Sequence, residues 1–481
     1  MKVYNSLTFR KEEFKTLEPN KVKMYVCGVT VYGSPHLGHA KSAVAFDLIH
    51  RYLKYKGYDV SIVKNYTDID DKIIKASQEN NEDFRTLSER YIGEYEEIME
   101  MLNVEQDTYN PRATEVIDLI IKFAQELIAK GHAYEKNGSV YFSVQSFPKY
   151  NSILQRVTDQ KEKGEEEDYT TDQDTAFGED KLDVRDFALW KKMKEGEPFW
   201  ESPWGKGRPG WHIECSVMIL NFLGETIDIH GGGQDLKFPH HRNEIAQSES
   251  YSGKPFATYF LHNGYVNVNN EKMSKSLNNF FTVSDIAKEY DPIIIRWYLI
   301  SSHYRSSNNY TSDSLEPAKK TYSRLINTIK KVNDAEFTDS KSKQLKGLIT
   351  KVKDTKTNII KAMDDDFDTP VALAEMLTLF REINKALLQD NMKINQEFKD
   401  EFFDFINFSE SIFGIFPFLK SKSKPFSTGN VDEKDNIIKN LINLIIETRT
   451  KLREKKIYDI SDEIRDRLRE LGIEIEDKKV K

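Results

Sequence analysis

The sequence predicts an α/β protein: a parallel sheet interrupted by an insertion, then an α-helical bundle and a small C-terminal domain. Three observations carry this. Met24 to Val31 alternates β-branched and aromatic residues, a long apolar helix follows, and Val60 to Tyr66 supplies a second strand-like run, the spacing of a strand–helix–strand unit. Far downstream the same logic returns, with a β-like run from Thr226 to His230, a turn expected at Gly231–Gly233 and a helix from Pro239. Beyond Tyr310 the apolar period becomes helical, at Leu325, Ile329 and Val332, then at Val371, Leu373, Met376, Leu379 and Phe380.

The first unit organises the rest. Gly33, Ser34 and Pro35 break the strand; Ser34 is placed to cap the helix, Pro35 to occupy its first turn and Gly57 to end it. Apolar residues cover most faces between Ala40 and Leu53, which predicts burial against the sheet. At the helix N-terminus, unpaired amides and the macrodipole favour an anion, and Gly38 lets a ligand come close to the backbone. His36 and His39 flank that glycine and could donate to phosphate oxygens; taken alone, an H-x-G-H turn is equally compatible with capping or surface histidines.

After the second strand, Thr67 stands at a carboxyl end, where parallel sheets bind ligands, and a helix begins near Lys72. Helical patterning runs from Phe84 to Leu102 and from Thr114 to Lys130, with Gly131 as a stop, and short strands are expected from Ala133 to Val144. Ser152 to Asp183 is charged and poor in apolar residues, an expected excursion from the core. Order resumes at Phe187–Trp190, and Pro, Gly and Trp residues between 200 and 210 suggest an irregular return to the sheet. Lys420–Gly429 reads as a linker; amphipathic helices follow from Asp435 to Lys456 and from Ser461 to Leu471, the second closed by Gly472. The expected boundaries are 1–110 and 206–265 for the two halves of the sheet domain, 111–205 for the insertion, 266–310 for a junction, 311–420 for the bundle and 421–481 for the last domain.

Composition excludes several classes. Hydrophobic residues make up 38% of the 481 and are broken by charge throughout, so no run is long and apolar enough to span a bilayer. The first residues, MKVYNSLTFRKEEF, lack the pattern of a secretory or transit segment, and a cytoplasmic location is expected. A net charge of −8 argues against a generally basic nucleic-acid binder while leaving a local basic face at Arg449, Lys451, Arg453, Lys455 and Lys456. Two cysteines rule out a disulfide scaffold. Cys27 ends the first strand and Cys215 lies where the core resumes, while His240 and Glu244 stand one helical turn apart. Two thiolates, an imidazole and a carboxylate would suit zinc. Isolated cysteines also serve as small buried hydrophobes, and His241 competes with His240.

Together, the turn Pro35–His39 (PHLGH) and the distant stretch Lys272–Ser276 (KMSKS) resemble the signature pair of class I aminoacyl-tRNA synthetases. The blocks GWHIECS, DIHGGGQDLKFPHHRNEIAQS, TDIDDKIIKAS, DFALWK, SHYRSSNNY and AMDDDFDTP extend the likeness to the cysteine-specific members over nearly the whole chain. The resemblance implies a Rossmann-like catalytic domain split by a connective insertion, a junction bearing the KMSKS loop, a tRNA-binding bundle and an anticodon-recognising end. It implies one zinc ion per chain on Cys27, Cys215, His240 and Glu244, with His36, His39 and Lys275 as catalytic residues. ATP with Mg²⁺ would be met by these three and by Gly38, Gly233, Asp235 and Lys272, and the amino acid by Gly28, Thr30, Thr67, Trp211 and His230. The implied partners are L-cysteine, ATP and cysteine tRNA, the enzyme acting as a monomer away from membranes. Its two steps are formation of cysteinyl-adenylate and esterification of the tRNA 3′ end.

A metal makes physical sense there, because sulfur and oxygen isosteres are poorly separated by shape, whereas a bound cation deprotonates a thiol far more readily than a hydroxyl. Two features depart from the family: the length and acidity of the 152–183 segment, and an ending, EIEDKKVK, without the usual Thr/Trp-containing tail. The rival readings are a ligase joining activated cysteine to a small amine, and a non-catalytic tRNA-binding relative. The helical region after Tyr310 speaks against the first, and the presence of His36, His39 and Lys275 against the second.

Overall fold

The computed structural model describes residues 1–154, 180–272, 280–340, 342–389 and 393–419. The chain divides into a unit Met1–Phe416 and a second, Pro417–Lys481, whose described part is one 3-10 turn, Pro417–Leu419. The linker, the two helices and the basic run expected beyond Lys420 lie outside the described residues, as do most of the acidic segment and residues 273–279.

In the first unit a hairpin, β1 (Lys2–Asn5) and β2 (Arg10–Glu13), precedes β3 (Lys21–Thr30), α1 (Leu37–Tyr55) and β4 (Asp59–Thr67). Then come α2 (Asp71–Asn80), α3 (Phe84–Met101) and α4 (Ile117–Ala129), the last preceded by a 3-10 turn at Ala113–Val116. Strands β5 (Ala133–Lys136), β6 (Ser139–Phe142), β7 (Phe187–Lys192) and β8 (Gly207–Pro209) form a separate antiparallel sheet. The chain returns through α5 (Trp211–Phe222), β9 (Ile227–Gly233), α6 (His240–Ser252) and β10 (Ala257–Asn263).

The core sheet runs β10-β9-β3-β4, all parallel. From β3 the chain first moves outward to β4 and later returns on the other side as β9, so strand order reverses beside β3, and such a reversal opens a crevice at the carboxyl ends. Val22, Met24, Tyr25 and Val26 of β3 are all buried, the continuous apolar run of a strand covered on both faces. Gly57 ends α1 as expected, at φ 90°, with Tyr58 N–H donating back to Leu53 O at 3.1 Å.

Two local expectations are corrected. Ser34 does not cap α1; its hydroxyl donates to Glu94 at 3.1 Å, and the helix starts at Leu37 with His36 as its cap. The three glycines do not turn the chain after His230 either. They remain in β9, paired with Leu261–Asn263, and the turn falls at Gln234–Lys237. A Cβ on Gly231 would lie 2.3 Å from the Phe46 ring of α1, so glycine is what lets helix and sheet approach.

Beyond the core, β11 (Val266–Val268), β12 (Glu271–Lys272) and β13 (Asn308–Tyr310) form a small sheet, with α7 (Val283–Ala287) and α8 (Pro292–Ile300) between the last two. The bundle is α9 (Leu315–Asp334), α10 (Lys343–Met363), α11 (Thr369–Gln389) and α12 (Gln396–Phe413). Leu345, Val352 and Ile359, Leu373, Met376 and Phe380, and Phe398, Phe402 and Phe405 fill its interior at helical spacing. Among the described residues no helix is long and apolar enough to cross a membrane.

Candidate active site and metal centre

Two imidazoles build the start of α1. His36 Nδ1 accepts from the amides of Gly38 at 3.0 Å and His39 at 3.3 Å, while His39 Nδ1 accepts from the His36 amide at 3.3 Å. This reciprocal capping box uses histidines where Ser and Glu are usual. The rings stack with centroids 3.7 Å apart. Because each Nδ1 accepts, a neutral ring must carry its proton on Nε2. The segment returning from KMSKS is zipped to this turn: Val283 N–H donates to Pro35 O at 2.9 Å, Leu37 N–H to Phe281 O at 3.4 Å, and the Phe280 ring meets His36 edge-on at 5.1 Å.

Beside the turn, β3 carries a bulge. Val26 faces Lys64 and Val29 faces Tyr66, so Cys27 and Gly28 share the place of one residue. Gly28 N–H donates to Asn65 Oδ1 at 2.8 Å, and a Cβ on Gly28 would sit 1.6 Å from the Asn65 carbonyl oxygen. Only glycine fits there.

The bulge sets Cys27 against residues from α5 and α6. Its sulfur lies 3.9 Å from Cys215 Sγ and 3.9 Å from Glu244 Oε1, and His240 Nε2 lies 3.5 Å from the same oxygen. A tetrahedral ion with bonds of about 2.3 Å to sulfur and 2.0 Å to nitrogen or oxygen would set ligand separations of roughly 3.3–3.8 Å. The four atoms fall within 4.8 Å of one another, and all four residues are buried. The Cys27–Cys215, Cys27–Glu244 and His240–Glu244 separations, 3.5–3.9 Å, lie close to the edges such an ion would set.

Cys27, His230, His241 and Glu244 form a second group within the same limit. There the His230 Nε2–Glu244 Oε2 distance is 2.7 Å, a hydrogen bond rather than a ligand–ligand edge. The first set is therefore the better donor set: Glu244 Oε1 faces Cys27 and His240, while Oε2 is held by His230 from behind, as an outer-shell partner would hold a ligand. His240 is in turn held through Nδ1, 3.0 Å from His212 Nδ1.

Burial pushes the Cys27 thiol well above its ordinary value, and Cys215 and Glu244 add to the effect. At Cys215 the contact with Cys27 pulls downward, but burial and the carboxylates of Glu244 and Glu214 prevail. Burial works against the charge on Glu244 too, yet His230 and His240 bring its carboxyl below the usual range. Burial, reinforced by His230, His262 and His240, holds His241 well below the usual imidazole value. A cation reverses the penalty on such thiols.

A cavity of about 350 Å³ opens over this floor, lined by Cys27, Gly28, Thr30, His36, Gly38, His39, Trp211, Gly233 and Asp235 among the residues expected from the sequence. Thr67 and His230 do not line it. They sit one layer behind, Thr67 donating to Glu214 at 3.1 Å and His230 bonded to Glu244. Cys215, His240 and Glu244 do not line it either and stand behind Cys27; Trp211, in the wall, leans on His240 with ring centroids 4.3 Å apart. Lys272 pairs through its backbone with Asn267, and Lys275 lies outside the described residues. Sequence reasoning missed Tyr32, Lys72, Tyr95, Asn263 and Tyr265 in the wall, and the supports Asn65 and His262, the latter 2.8 Å from His241 Nδ1. Asn65 and His262 left one signal: each is a polar residue inside an apolar strand run.

Residues 13–320 match the family model for the catalytic domain of class I (C) tRNA synthetases, and residues 358–417 match that for the DALR domain. The cysteine–tRNA ligase of Bacillus cytotoxicus is 45% identical over 482 residues, covering 99% of this chain and 97% of the relative. That of Sulfurihydrogenibium sp. is 44% identical over 486 residues, covering 99% and 98%. Among solved structures, Mycobacterium tuberculosis methionyl-tRNA synthetase in complex with methionyl-adenylate aligns with a TM-score of 0.61 at 14% identity, over 82% of this chain and 91% of that one. The LeuRS of Agrobacterium radiobacter aligns with a TM-score of 0.60 at 10% identity, over 84% and 85%. At those identities the structures speak for the fold alone, and the full-length sequence matches decide the rest: the chain belongs to the cysteine–tRNA ligase family of class I aminoacyl-tRNA synthetases.

Proposed function

We propose that this enzyme activates L-cysteine with ATP and transfers the cysteinyl group to the 3′ end of cysteine tRNA, selecting its substrate through a zinc ion held by Cys27, Cys215, His240 and Glu244. One observation carries this reading: a buried four-donor, two-sulfur cluster backs a cavity that one of its members, Cys27, lines and whose rim is the capped start of α1. A bound zinc would supply a soft Lewis acid that favours a thiolate sulfur over a hydroxyl oxygen.

The chain's own groups then orient and stabilise. Gly28 and Thr30 bound the amino-acid side of the cavity, and Trp211 walls it beside His240. The amides at the start of α1 and the Nε2–H groups fixed by the histidine cap receive the triphosphate of ATP–Mg²⁺. Gly233 and Asp235, at the end of β9, face the adenosine. The cysteine carboxylate oxygen attacks the α-phosphorus, the bond to the bridging oxygen breaks, and pyrophosphate leaves, its charge being the part assigned to Lys275 and Lys272 by the resemblance. A 3′-terminal ribose hydroxyl of the tRNA then attacks the carbonyl carbon and AMP departs. His36 and His39 serve by charge stabilisation and positioning, so their effect is on the transition state of the first step.

On this reading residues 311–420 hold the tRNA stem, 421–481 read the anticodon, and the enzyme works as a cytoplasmic monomer. The test pairs metal analysis with ATP–pyrophosphate exchange screened across the amino acids. About one zinc per chain and exchange with cysteine alone are expected; a metal-free protein that activates serine as readily would overturn the reading.

A further inference from the structure

The chain's two cysteines stand 188 positions apart in sequence and meet at one point. Cys27, on the bulge of β3, carries its sulfur to 3.9 Å from that of Cys215 on α5, and both are free thiols. They differ in access. Cys27 is 9% exposed and lines the cavity, whereas Cys215 is 2% exposed and stands behind it, its sulfur 3.8 Å from Asn65 Oδ1. A small oxidant entering the cavity therefore meets one sulfur first and has the other close behind it. The sequence holds no third thiol to compete for the first.

A disulfide needs about 2.05 Å between its sulfurs, so the pair must close by roughly 2 Å. The backbone allows for it: Cys27 falls between Val26 and Val29, the residues in register with β4 on either side of the bulge, and past Val26, the last in register with β9. The chamber beside it leaves the side chain room to turn. On zinc both sulfurs are thiolates, the form that peroxide attacks. The Cys27 sulfur takes a hydroxyl group from the peroxide, the O–O bond breaks and hydroxide leaves, which makes a sulfenic acid. The Cys215 sulfur then attacks that of Cys27, the S–O bond breaks and a second hydroxide departs. Two thiolates are oxidised to a disulfide and one peroxide is reduced to two hydroxides, which solvent protonates. A disulfide has no thiolate to offer a metal, so only His240 and Glu244 of the four donors remain.

We propose that Cys27 and Cys215 form an oxidation-sensitive switch: peroxide reaching the cavity joins them in an intramolecular disulfide, zinc is released, and cysteine activation stops until a dithiol restores the pair. This rests on the zinc-dependent function proposed above. Activation then halts under the same conditions that convert free cysteine to its own disulfide. In the test, full-length zinc-loaded wild type is treated with a small molar excess of hydrogen peroxide, and catalase ends the reaction. Zinc release is followed with a colorimetric chelator, the disulfide by intact mass and by peptide mapping without reductant, and cysteine-dependent pyrophosphate exchange on the same samples. Dithiothreitol and zinc are then added back.

Zinc release, the loss of two hydrogens from the intact mass and a peptide joining Cys27 to Cys215 are expected to rise together, with exchange lost in the same proportion. Dithiothreitol and zinc should recover most of it. Zinc and exchange both retained, under peroxide that oxidises a free-thiol peptide, would overturn the proposal. Zinc release with sulfinic acid at Cys27 and no joined peptide would do so as well, as would a disulfide between two chains. The functional reading is judged on the untreated protein: no zinc and no exchange before peroxide is added would bring that reading down, independently of what the oxidant does.

Discussion

The floor and the rim of the cavity are built by opposite means. The floor is made of side chains drawn from β3, α5 and α6, buried and held by a further layer that includes His230 and His212. The rim is a local structure, two histidines three residues apart that bond each other's backbone, with partly exposed rings. Discrimination between sulfur and oxygen needs fixed donors shielded from water; phosphate chemistry needs donors that a large charged substrate can reach. On the proposed reading, the two tasks are separated by depth.

The largest effect should come from the floor. Cys215→Ser replaces a thiolate by a hydroxyl that stays protonated, and metal affinity should fall by more than the roughly 10–100-fold typical of losing an outer-shell partner. Chelator competition should show this together with loss of cysteine-dependent exchange; retained metal would shift the assignment to the second donor group. Next, His39→Ala should lower exchange by about 10² with metal content unchanged, a split that belongs to the rim. His36→Asn sharpens this, since Asn is a good N-cap: stability should hold within about 0.5 kcal/mol while exchange drops, whereas His36→Ala should cost about 1 kcal/mol as well.

A smaller loss is expected from His230→Leu, which frees Glu244 Oε2: metal affinity should weaken by about 10–100-fold with the rim untouched. The least effect on activity should come from Lys41→Met. Lys41 is buried on α1, donating to Leu299 O at 3.2 Å and Ser302 Oγ at 3.4 Å, and burial lowers its ammonium to about 7. The unfolded chain keeps that proton up to the ordinary lysine value while the folded one releases it near 7. The unfolded state therefore binds more protons above pH 7, and wild-type stability should rise with pH across that interval. Urea melts at pH 7 and 9 should show a rise on the order of 1 kcal/mol in wild type that the variant lacks.

Much of this could be read from the chain alone. The strand–turn–helix at Tyr25–Val60, the return at Thr226–Glu244 and the bundle were legible because their apolar periods are long and unbroken. Scarce cysteines and the helical spacing of His240 and Glu244 pointed to a donor set, but with His241 as a competitor, and it is the resemblance that implies the four. What escaped was set by contacts between distant segments. The cap at His36 depends on imidazole reach, where a rule based on small hydroxyls pointed to Ser34. The glycines of β9 mark the close passage of Phe46, which no local turn rule contains. Thr67 ends β4 and His230 lies within β9, and period alone does not say which side chains face a cavity and which brace it.

The one-residue excess in β3 has a consequence for anyone wishing to move this chemistry elsewhere. In a regular strand neighbouring residues point to opposite faces, so trimming Gly28 to restore an even ladder would shift every later residue of the strand by one position. Cys27 and Thr30, which line the same chamber on either side of Gly28, would then no longer face it together. Copying the cysteine into another parallel sheet would transplant a ligand without its aim; the irregularity has to travel with it.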